Sequence, residues 1–233
     1  MTAAPDGLAS AVWTEVAAGG TLVVPLGATE QHGPHLPLGT DTLIATAVAA
    51  ALVERVPDAD LAPAIAIGAS GEHTGFAGTL SIGTDALYGV LLELVRHGVP
   101  AWERVMIVNG HGGNAAALAR LAETCAYEKR PLLVHHCHVP GGDAHAGRTE
   151  TSLLLHLRPE LVRLERAEPG NPAPIEKLLG AMRDGGVRSV APNGVLGDPT
   201  GASAEEGRGL FRALVDAAVS HLVVEPGELP GRA

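Results

Sequence analysis

The stretch TLVVPLGATEQHGPHLPLGTD, residues 21–41, decides the fold. Its first seven residues, TLVVPLG, are almost all apolar, which is typical of a strand that is buried on both faces. Histidines and carboxylates follow directly in EQHGPHLPLGTD, and an Ala-rich helical pattern occupies 42–56. A buried strand, a polar loop and a helix in this order indicate a unit of an α/β sheet.

The same order recurs along the chain. It predicts the fold class α/β, with a mostly parallel central sheet and helices on both faces. At 233 residues the chain fits a single domain, 1–233, and we expect flexible termini at about 1–10 and 225–233. The further predicted strands are 62–68, 104–110 and 132–138, and the further predicted helices are 85–97, 115–129, 175–183 and 205–223.

Composition excludes several classes of protein. A hydrophobic fraction of 46% with 18% charged residues is not that of a disordered chain. A net charge of −10, with only 16 scattered basic residues, argues against binding to nucleic acid. The sequence has no apolar run of transmembrane length and no signal-peptide pattern, so we expect a cytoplasmic protein without a membrane partner. Cys125 and Cys137 form no disulfide framework.

Three polar clusters each follow a predicted strand: EQHGPHLPLGTD (30–41), NGHGGN (109–114) and DAHAGRTETS (143–152). Ligands bind beyond the carboxyl ends of the strands in such sheets, so the three clusters are expected to meet there. Imidazole and carboxylate together bind divalent metals, and a two-metal site needs a bridging carboxylate. The candidate ligands are Glu30, His32, Asp41, His111 and Glu150, with Asp41 as the bridge.

Other residues leave alternatives open. Glu72 and His73 line a substrate pocket or lie on the surface, and Arg148 binds a peptide carboxylate or is solvated at a helix start. His35 is expected behind the ligands because Gly33-Pro34 turns the chain between it and His32. Strand alternation favours packing of His135 and Cys137 and places His138 near the mouth of the site.

The three clusters together resemble the creatininase family of metal-dependent amidohydrolases, over about residues 21–223. The resemblance implies an α/β fold, a metal site at the sheet edge and a ring-like homo-oligomer. It implies metal ligation by Glu30, His32, Asp41 and His111, and proton transfer to the leaving nitrogen by His145. The segments SGEHTGFAGTLSIG, DAHAGRTETSLLLHL, GNPAP and GVLGDPT resemble a peptidase branch of that family more than creatininase itself.

The sequence departs from creatininase at Gly113, where creatininase has a carboxylate that binds the second metal. We expect Glu150 to supply that oxygen ligand instead. Creatininase also stacks its substrate against tryptophans, whereas Trp13 and Trp102 lie outside the motifs. The expected cofactors are divalent metal ions, two per subunit, with zinc or iron favoured and manganese acceptable.

The resemblance to the peptidase branch implies a metal-dependent peptidase that removes a C-terminal Val-Tyr dipeptide from a modified precursor peptide. Its expected catalytic residues are His145 as proton donor, Asp143 as the residue that orients it, and Glu150. Two alternatives remain: a family amidohydrolase acting on a cyclic amide or formamide, and a non-catalytic metal-binding carrier of the peptide.

Overall fold

A computed structural model describes residues 7–224 of the chain. It contains a four-stranded sheet in the spatial order β2-β1-β3-β4, and every neighbouring pair of strands is parallel. The predicted fold class is therefore confirmed. The strands are β1 Thr21–Leu26, β2 Ala59–Leu61, β3 Arg104–Asn109 and β4 Leu132–His136.

The α-helices of the described part of the chain lie close to the predicted positions. The predicted helices differ from the observed ones by at most about two residues at either end. A helix also begins in the third polar cluster, as expected. The helices are α1 Thr40–Arg55, α2 Gly83–Gly98, α3 Ala115–Tyr127, α4 Arg148–Leu157, α5 Ile175–Gly185 and α6 Ala204–Val224.

The sheet is covered by helices on both faces. Val23 and Met106 pack in one apolar cluster with side chains of α1, α4 and α6. Their strand neighbours Val24 and Ile107 point the other way and pack with α2 and α3. Successive residues of a strand face opposite sides, so burial of both faces explains why the strands are continuously apolar rather than alternating.

Two strand predictions need correction. The strand predicted at 62–68 lies earlier in the chain, because regular pairing with β1 is limited to β2. Within 62–68, an isolated bridge joins Ile65 to Leu26 of β1. Pro63 lacks a backbone N–H, which interrupts a regular ladder there. The strand predicted at 132–138 ends at His136, where the His138 N–H turns back to the His136 carbonyl at 2.8 Å.

The expectation of flexible termini falls mostly on residues 1–6 and 225–233, which lie outside the described residues. Residues 7–9, which that expectation also covered, form a short 3-10 helix. Among residues 7–224, every helix is too short or too polar to cross a membrane.

Asn114 ties together the strand ends that carry the site. It occupies the N-cap position of α3, but its fully buried side chain makes no capping hydrogen bond. Its Oδ1 accepts the Ala69 N–H at 2.9 Å, while its Nδ2 donates to the Gly27 carbonyl at 3.1 Å and to Asn109 Oδ1 at 3.0 Å. One amide therefore holds the ends of β1 and β3 and the segment before the 3-10 helix Gly71–His73.

We predict that Asn114→Ala lowers the free energy of unfolding by about 3 kcal/mol, because it leaves buried backbone and amide groups without partners. Chemical denaturation of the variant measures this loss. Asn193→Ala is the matched control, since the two hydrogen bonds of Asn193 are exposed or only part-buried, and its loss should be about 1 kcal/mol or less. Equal losses in the two variants would contradict the role given to Asn114.

Candidate metal centre

The loops that follow β1, β3 and β4 meet at one edge of the sheet, as the sequence predicts. They bring together Glu30, His32, His111 and His145, and each of these side chains is at least nine-tenths buried. Asp41 comes from the first turn of α1 and Glu150 from the first turn of α4. The candidate ligands therefore rest on elements of the core, which holds them in place.

Asp41 lies between the histidines of two loops. Its Oδ1 is 3.0 Å from His32 Nε2, and its Oδ2 is 3.4 Å from His111 Nδ1. Glu30 Oε2 lies 3.1 Å from His111 Nε2, and Glu150 Oε2 lies 3.9 Å from His32 Nε2. Three overlapping groups have ligand atoms within 4.8 Å of one another: Glu30–Asp41–His111, His32–Asp41–Glu150 and Glu30–His32–His145. Asp41 belongs to two of them, which is the arrangement of a bridging carboxylate.

The buried carboxylates lack the hydrogen-bond partners that buried polar groups normally have. Both side-chain oxygens of Glu30 and Oδ2 of Asp41 are buried, and none of them has a well-aligned hydrogen bond, although histidine nitrogens lie close by. Isolated carboxylates are very unfavourable in an apolar interior unless a cation balances them. The donor set of imidazole nitrogen and carboxylate oxygen therefore fits a divalent metal such as zinc, iron or manganese.

Backbone carbonyls fix which nitrogen of three histidines carries a proton. A carbonyl only accepts, so His32 Nδ1, His111 Nε2 and His145 Nε2 each donate, to Glu30 O at 3.1 Å, Ala69 O at 3.2 Å and Gln31 O at 2.8 Å. The other ring nitrogen of each histidine faces the carboxylates. A metal-binding histidine characteristically donates its second N–H in this way.

The pKa values of the buried groups indicate that this site favours positive charge. Burial and the neighbouring Asp41 raise the pKa of Glu30 well above its usual value. Burial lowers the pKa of His32, but attraction to Asp41 outweighs it and raises that pKa to about 10. Burial likewise raises the pKa of Glu150 to about 7. A metal ion bound between these groups would take the place of the protons that they retain.

The Glu150 carboxylate is held by a residue with a left-handed backbone conformation in the loop before α4. Ala146 has φ +53°, a conformation that non-glycine residues rarely adopt, and its N–H donates to Glu150 Oε2 at 2.6 Å. Such local strain is a frequent property of functional loops. The interpretation of Glu150 as a ligand remains a prediction, supported by its proximity to His32 and Asp41.

Asp143 and Arg148 lie near the site with other partners. All four hydrogen bonds that the Asp143 carboxylate accepts come from Arg148 N, Thr149 N, Thr149 Oγ1 and Asp198 N. Asp143 therefore caps α4 and ties down the loop at 194–200, and it does not orient His145 as the sequence suggested. Arg148 Nε pairs with Glu206 of α6 at 2.9 Å, so its guanidinium is engaged on the surface away from the cavity.

Glu72 and His73 take different places. His73 is 3% exposed, with its Nε2 3.2 Å from Glu30 Oε1, so it lies within the cluster rather than on the surface. Glu72 Oε1 lies 3.5 Å from His111 Nε2 and 2.3 Å from the position that a Cβ on Gly113 would take. A side chain at 113 would thus collide with this carboxylate and with the His111 ring. His35 is buried behind the ligands, where its Nε2 contacts Thr151 Oγ1 at 2.8 Å.

A cavity of about 340 Å³ opens beside the cluster. Asp41, His111, His145 and Glu150 form its inner wall, and His136, Cys137 and His138 form part of its rim. The sequence placed His138 near the mouth but assigned Cys137 to strand packing and gave His136 no role. The early end of β4 turns all three toward the cavity, a turn that the sequence pattern did not signal. His135 packs inward, against His221, with ring centroids 5.7 Å apart. Cys137 also packs against the apolar cluster of α1, α4 and α6, as the sequence predicted, in addition to lining the cavity.

Comparison with known proteins assigns the family. The family model described as creatinine amidohydrolase matches residues 9–222. The chain belongs to the creatininase family. It is 30% identical to creatinine amidohydrolase of Pseudomonas putida, over 86% of this chain and 88% of that protein.

Other known proteins are more similar to this chain than creatinine amidohydrolase is. The mycofactocin precursor peptide peptidase of Mycobacterium tuberculosis (strain CDC 1551 / Oshkosh) is 55% identical over 84% of this chain and 82% of its own length. The protein of the same name from Mycobacterium ulcerans (strain Agy99) is 51% identical over 87% and 84%. Among solved structures, a creatinine amidohydrolase has a TM-score of 0.72 at 25% identity, covering 97% of this chain and 98% of its own.

We predict that a divalent metal raises the unfolding temperature of the chelator-treated protein. At a metal concentration 100 times the dissociation constant, the gain is about 2.7 kcal/mol, or roughly 5–10 °C for a domain of this size. Asp41→Ala should abolish the gain, because it removes the carboxylate shared by two ligand groups. Differential scanning fluorimetry gives both values. Asp85→Ala, whose side chain is 93% exposed, is the control that should keep the full shift. A normal shift in Asp41→Ala would contradict the bridging role.

Proposed function

We propose that this chain is a metal-dependent peptidase of the modified mycofactocin precursor peptide, from which it removes the C-terminal Val-Tyr dipeptide. The observation that carries the proposal is the identity of 50–55% to several proteins named mycofactocin precursor peptide peptidase. The buried cluster of carboxylates and histidines beside an open cavity supports hydrolysis of an amide bond at this place.

Glu30, Asp41 and His111 would hold one metal, and His32, Asp41 and Glu150 would hold a second. When bound, divalent metals supply an activated water and an electrophile that polarises the scissile carbonyl. Glu150 takes the place expected for the missing carboxylate at Gly113, because its carboxylate lies with His32 and Asp41. Among related structures, one creatininase is described as a manganese form and a mutant creatininase as a Zn–Zn type. Zinc or iron is our proposal for this chain.

His145 is the proposed proton carrier. Its Nε2–H is committed to the Gln31 carbonyl, which leaves the lone pair of Nδ1 toward the cluster and the cavity. Burial lowers the pKa of His145 well below its usual value, which favours the neutral form of the ring with a lone pair on Nδ1. Nδ1 takes a proton from the attacking water as the new C–O bond forms, and returns it to the nitrogen as the C–N bond breaks.

The cavity suits the end of a peptide better than creatinine. Its lining contains no aromatic ring of Trp, Tyr or Phe within the described residues. Trp13 is 86% exposed and Trp102 donates its indole N–H to Asp60 at 2.8 Å, so neither serves as a stacking platform in this cavity. Two alternative functions are tested against the proposal: hydrolysis of a cyclic amide, and non-catalytic binding of the peptide.

We also propose that the protein is cytoplasmic and forms a homo-oligomer. Both cysteines are free, which is the usual state in the reducing cytoplasm. Leu38, Leu80 and Ile82 are exposed apolar side chains, and they are candidates for contacts between copies in a homo-oligomer.

We predict that the metal-loaded protein releases Val-Tyr from the modified precursor peptide, that a chelator stops the release and that added metal restores it. Mass spectrometry of the reaction detects both the dipeptide and the shortened peptide. Creatinine serves as the comparison substrate and should be turned over far more slowly. Peptide left intact by fully metallated protein, with or without binding, would contradict the peptidase assignment.

We predict that His145→Ala binds metal with an affinity close to that of the wild type and cleaves the peptide about 10²–10⁴-fold more slowly, as expected for loss of general acid–base catalysis. Elemental analysis and a kcat measurement separate the two effects. His97→Ala, a change at an exposed helix position, is the matched control and should leave both quantities unchanged. Loss of metal from His145→Ala would make His145 a ligand instead of a proton carrier.

A further inference from the structure

Gln31 and His73 are buried polar side chains to which the proposed mechanism gives no task. Gln31 is 5% exposed and His73 is 3% exposed, and neither lines the cavity. His73 Nε2 is 3.2 Å from Glu30 Oε1, and the Gln31 amide nitrogen is 2.9 Å from His73 Nδ1. Two buried polar groups at a ligand need an explanation beyond packing.

The orientation of the Gln31 amide is fixed by backbone. Gly33 N–H donates to Gln31 Oε1 at 2.9 Å, and an N–H requires an acceptor there, which assigns the oxygen. Gly33 has φ +64°, a conformation that favours glycine and aims this N–H back at residue 31. The amide nitrogen, Nε2, therefore faces the other way, toward His73 Nδ1 at 2.9 Å, the Gly194 carbonyl at 3.0 Å and His145 Nε2 at 3.0 Å.

The two N–H groups of the Gln31 amide then have two acceptors. His145 Nε2 already carries a proton, because it lies 2.8 Å from the Gln31 carbonyl oxygen, which only accepts. It is therefore no acceptor for the amide. The Gln31 N–H groups donate to the Gly194 carbonyl and to His73 Nδ1.

His73 consequently has its lone pair on Nδ1 and its proton on Nε2. Nε2 lies 3.2 Å from Glu30 Oε1, where the N–H attracts the carboxylate although the two are not aligned as a hydrogen bond. His145 has the opposite arrangement, with the lone pair of Nδ1 3.8 Å from the same Glu30 oxygen. Gln31 thus sets the proton position on both rings, one through its side chain and one through its carbonyl. The result is that one N–H and one lone pair face the same oxygen of Glu30, from two rings whose centroids are 4.6 Å apart.

We propose that Gln31 and His73 are positioning residues of the metal centre, in which Gln31 keeps the His73 Nε2–H turned toward Glu30 and His73 holds the Glu30 carboxylate in its ligating orientation. The inference rests on the proposed metal centre. It gives His73 a structural task toward a ligand instead of the contact with substrate that the sequence suggested. Outer partners of this kind characteristically change metal affinity by about 10–100-fold when they are removed.

Gln31→Glu provides the sharpest test, because it keeps the size of the side chain and replaces the donor with an acceptor. Nδ1 of His73 then needs a proton of its own, so the proton pattern of the ring changes. We expect zinc affinity, measured by competition with a chelator, to fall about 10–100-fold. Gln31→Met, which is uncharged and of similar length, should also weaken zinc binding and shows that the added charge is not the cause.

Variants of His73 separate positioning from packing. His73→Gln retains an N–H donor that reaches toward Glu30, whereas His73→Phe fills the same space without a donor. We expect His73→Gln to restore most of the zinc affinity that His73→Phe loses. His97→Gln makes the same exchange at a side chain that is 84% exposed and should leave the affinity unchanged.

Nitrogen NMR of the imidazole rings gives a readout that packing alone would not move. In the wild-type protein, with or without zinc, we expect His73 to be protonated at Nε2 and not at Nδ1, and in Gln31→Glu we expect Nδ1 to be protonated. An unchanged His73 spectrum in Gln31→Glu, or zinc affinity within twofold of the wild type in both Gln31→Met and His73→Phe, would overturn the inference. Zinc affinity and ring protonation are measured without substrate, so failure to cleave the peptide would count against the proposed function alone.

Discussion

The burial of Glu30 and Asp41 without aligned hydrogen-bond partners is the constraint on which the rest of the structure depends. Carboxylates inside a folded domain require a compensating charge, and the chain provides no Lys or Arg among the residues that line the cavity. Histidines surround them instead, and each of three has one nitrogen committed to a backbone carbonyl. The arrangement is stable as a whole only when positive charge enters it, either as protons on the histidines or as bound cations.

The fold places this cluster at the ends of the central strands and the starts of two helices. Glu30 and His32 follow β1 and His111 follows β3, the two central strands of the sheet, while Asp41 and Glu150 sit in the first turns of α1 and α4. Asn114, which is fully buried, connects the ends of those central strands through two hydrogen bonds and the segment at Ala69 through a third. Rigid support of this type lowers the reorganisation needed to bind a metal in a fixed geometry.

Much of this could be predicted from the sequence, because strand and helix periods are local properties and parallel strands end at a common edge. The convergence of Glu30, Asp41 and His111 follows from those two facts alone. The tasks of individual side chains depend on contacts between distant segments and were harder to foresee. Asp143 caps α4 and His73 is buried against Glu30, because of partners at residues 149, 198 and 31 that no local pattern connects with them. The turn after β4 that brings Cys137 to the cavity is likewise a three-residue event without a sequence signal.

The central claim is that divalent cations occupy the space around Asp41 and balance the buried carboxylates. Anomalous X-ray diffraction from crystals of the protein as purified, recorded on both sides of the zinc and iron absorption edges, tests this most directly. The account predicts anomalous peaks within ligand distance of Asp41, one on the side of Glu30 and His111 and one on the side of His32 and Glu150. Crystals of active peptidase without a peak beside Asp41, or with the metal bound only elsewhere, would contradict it.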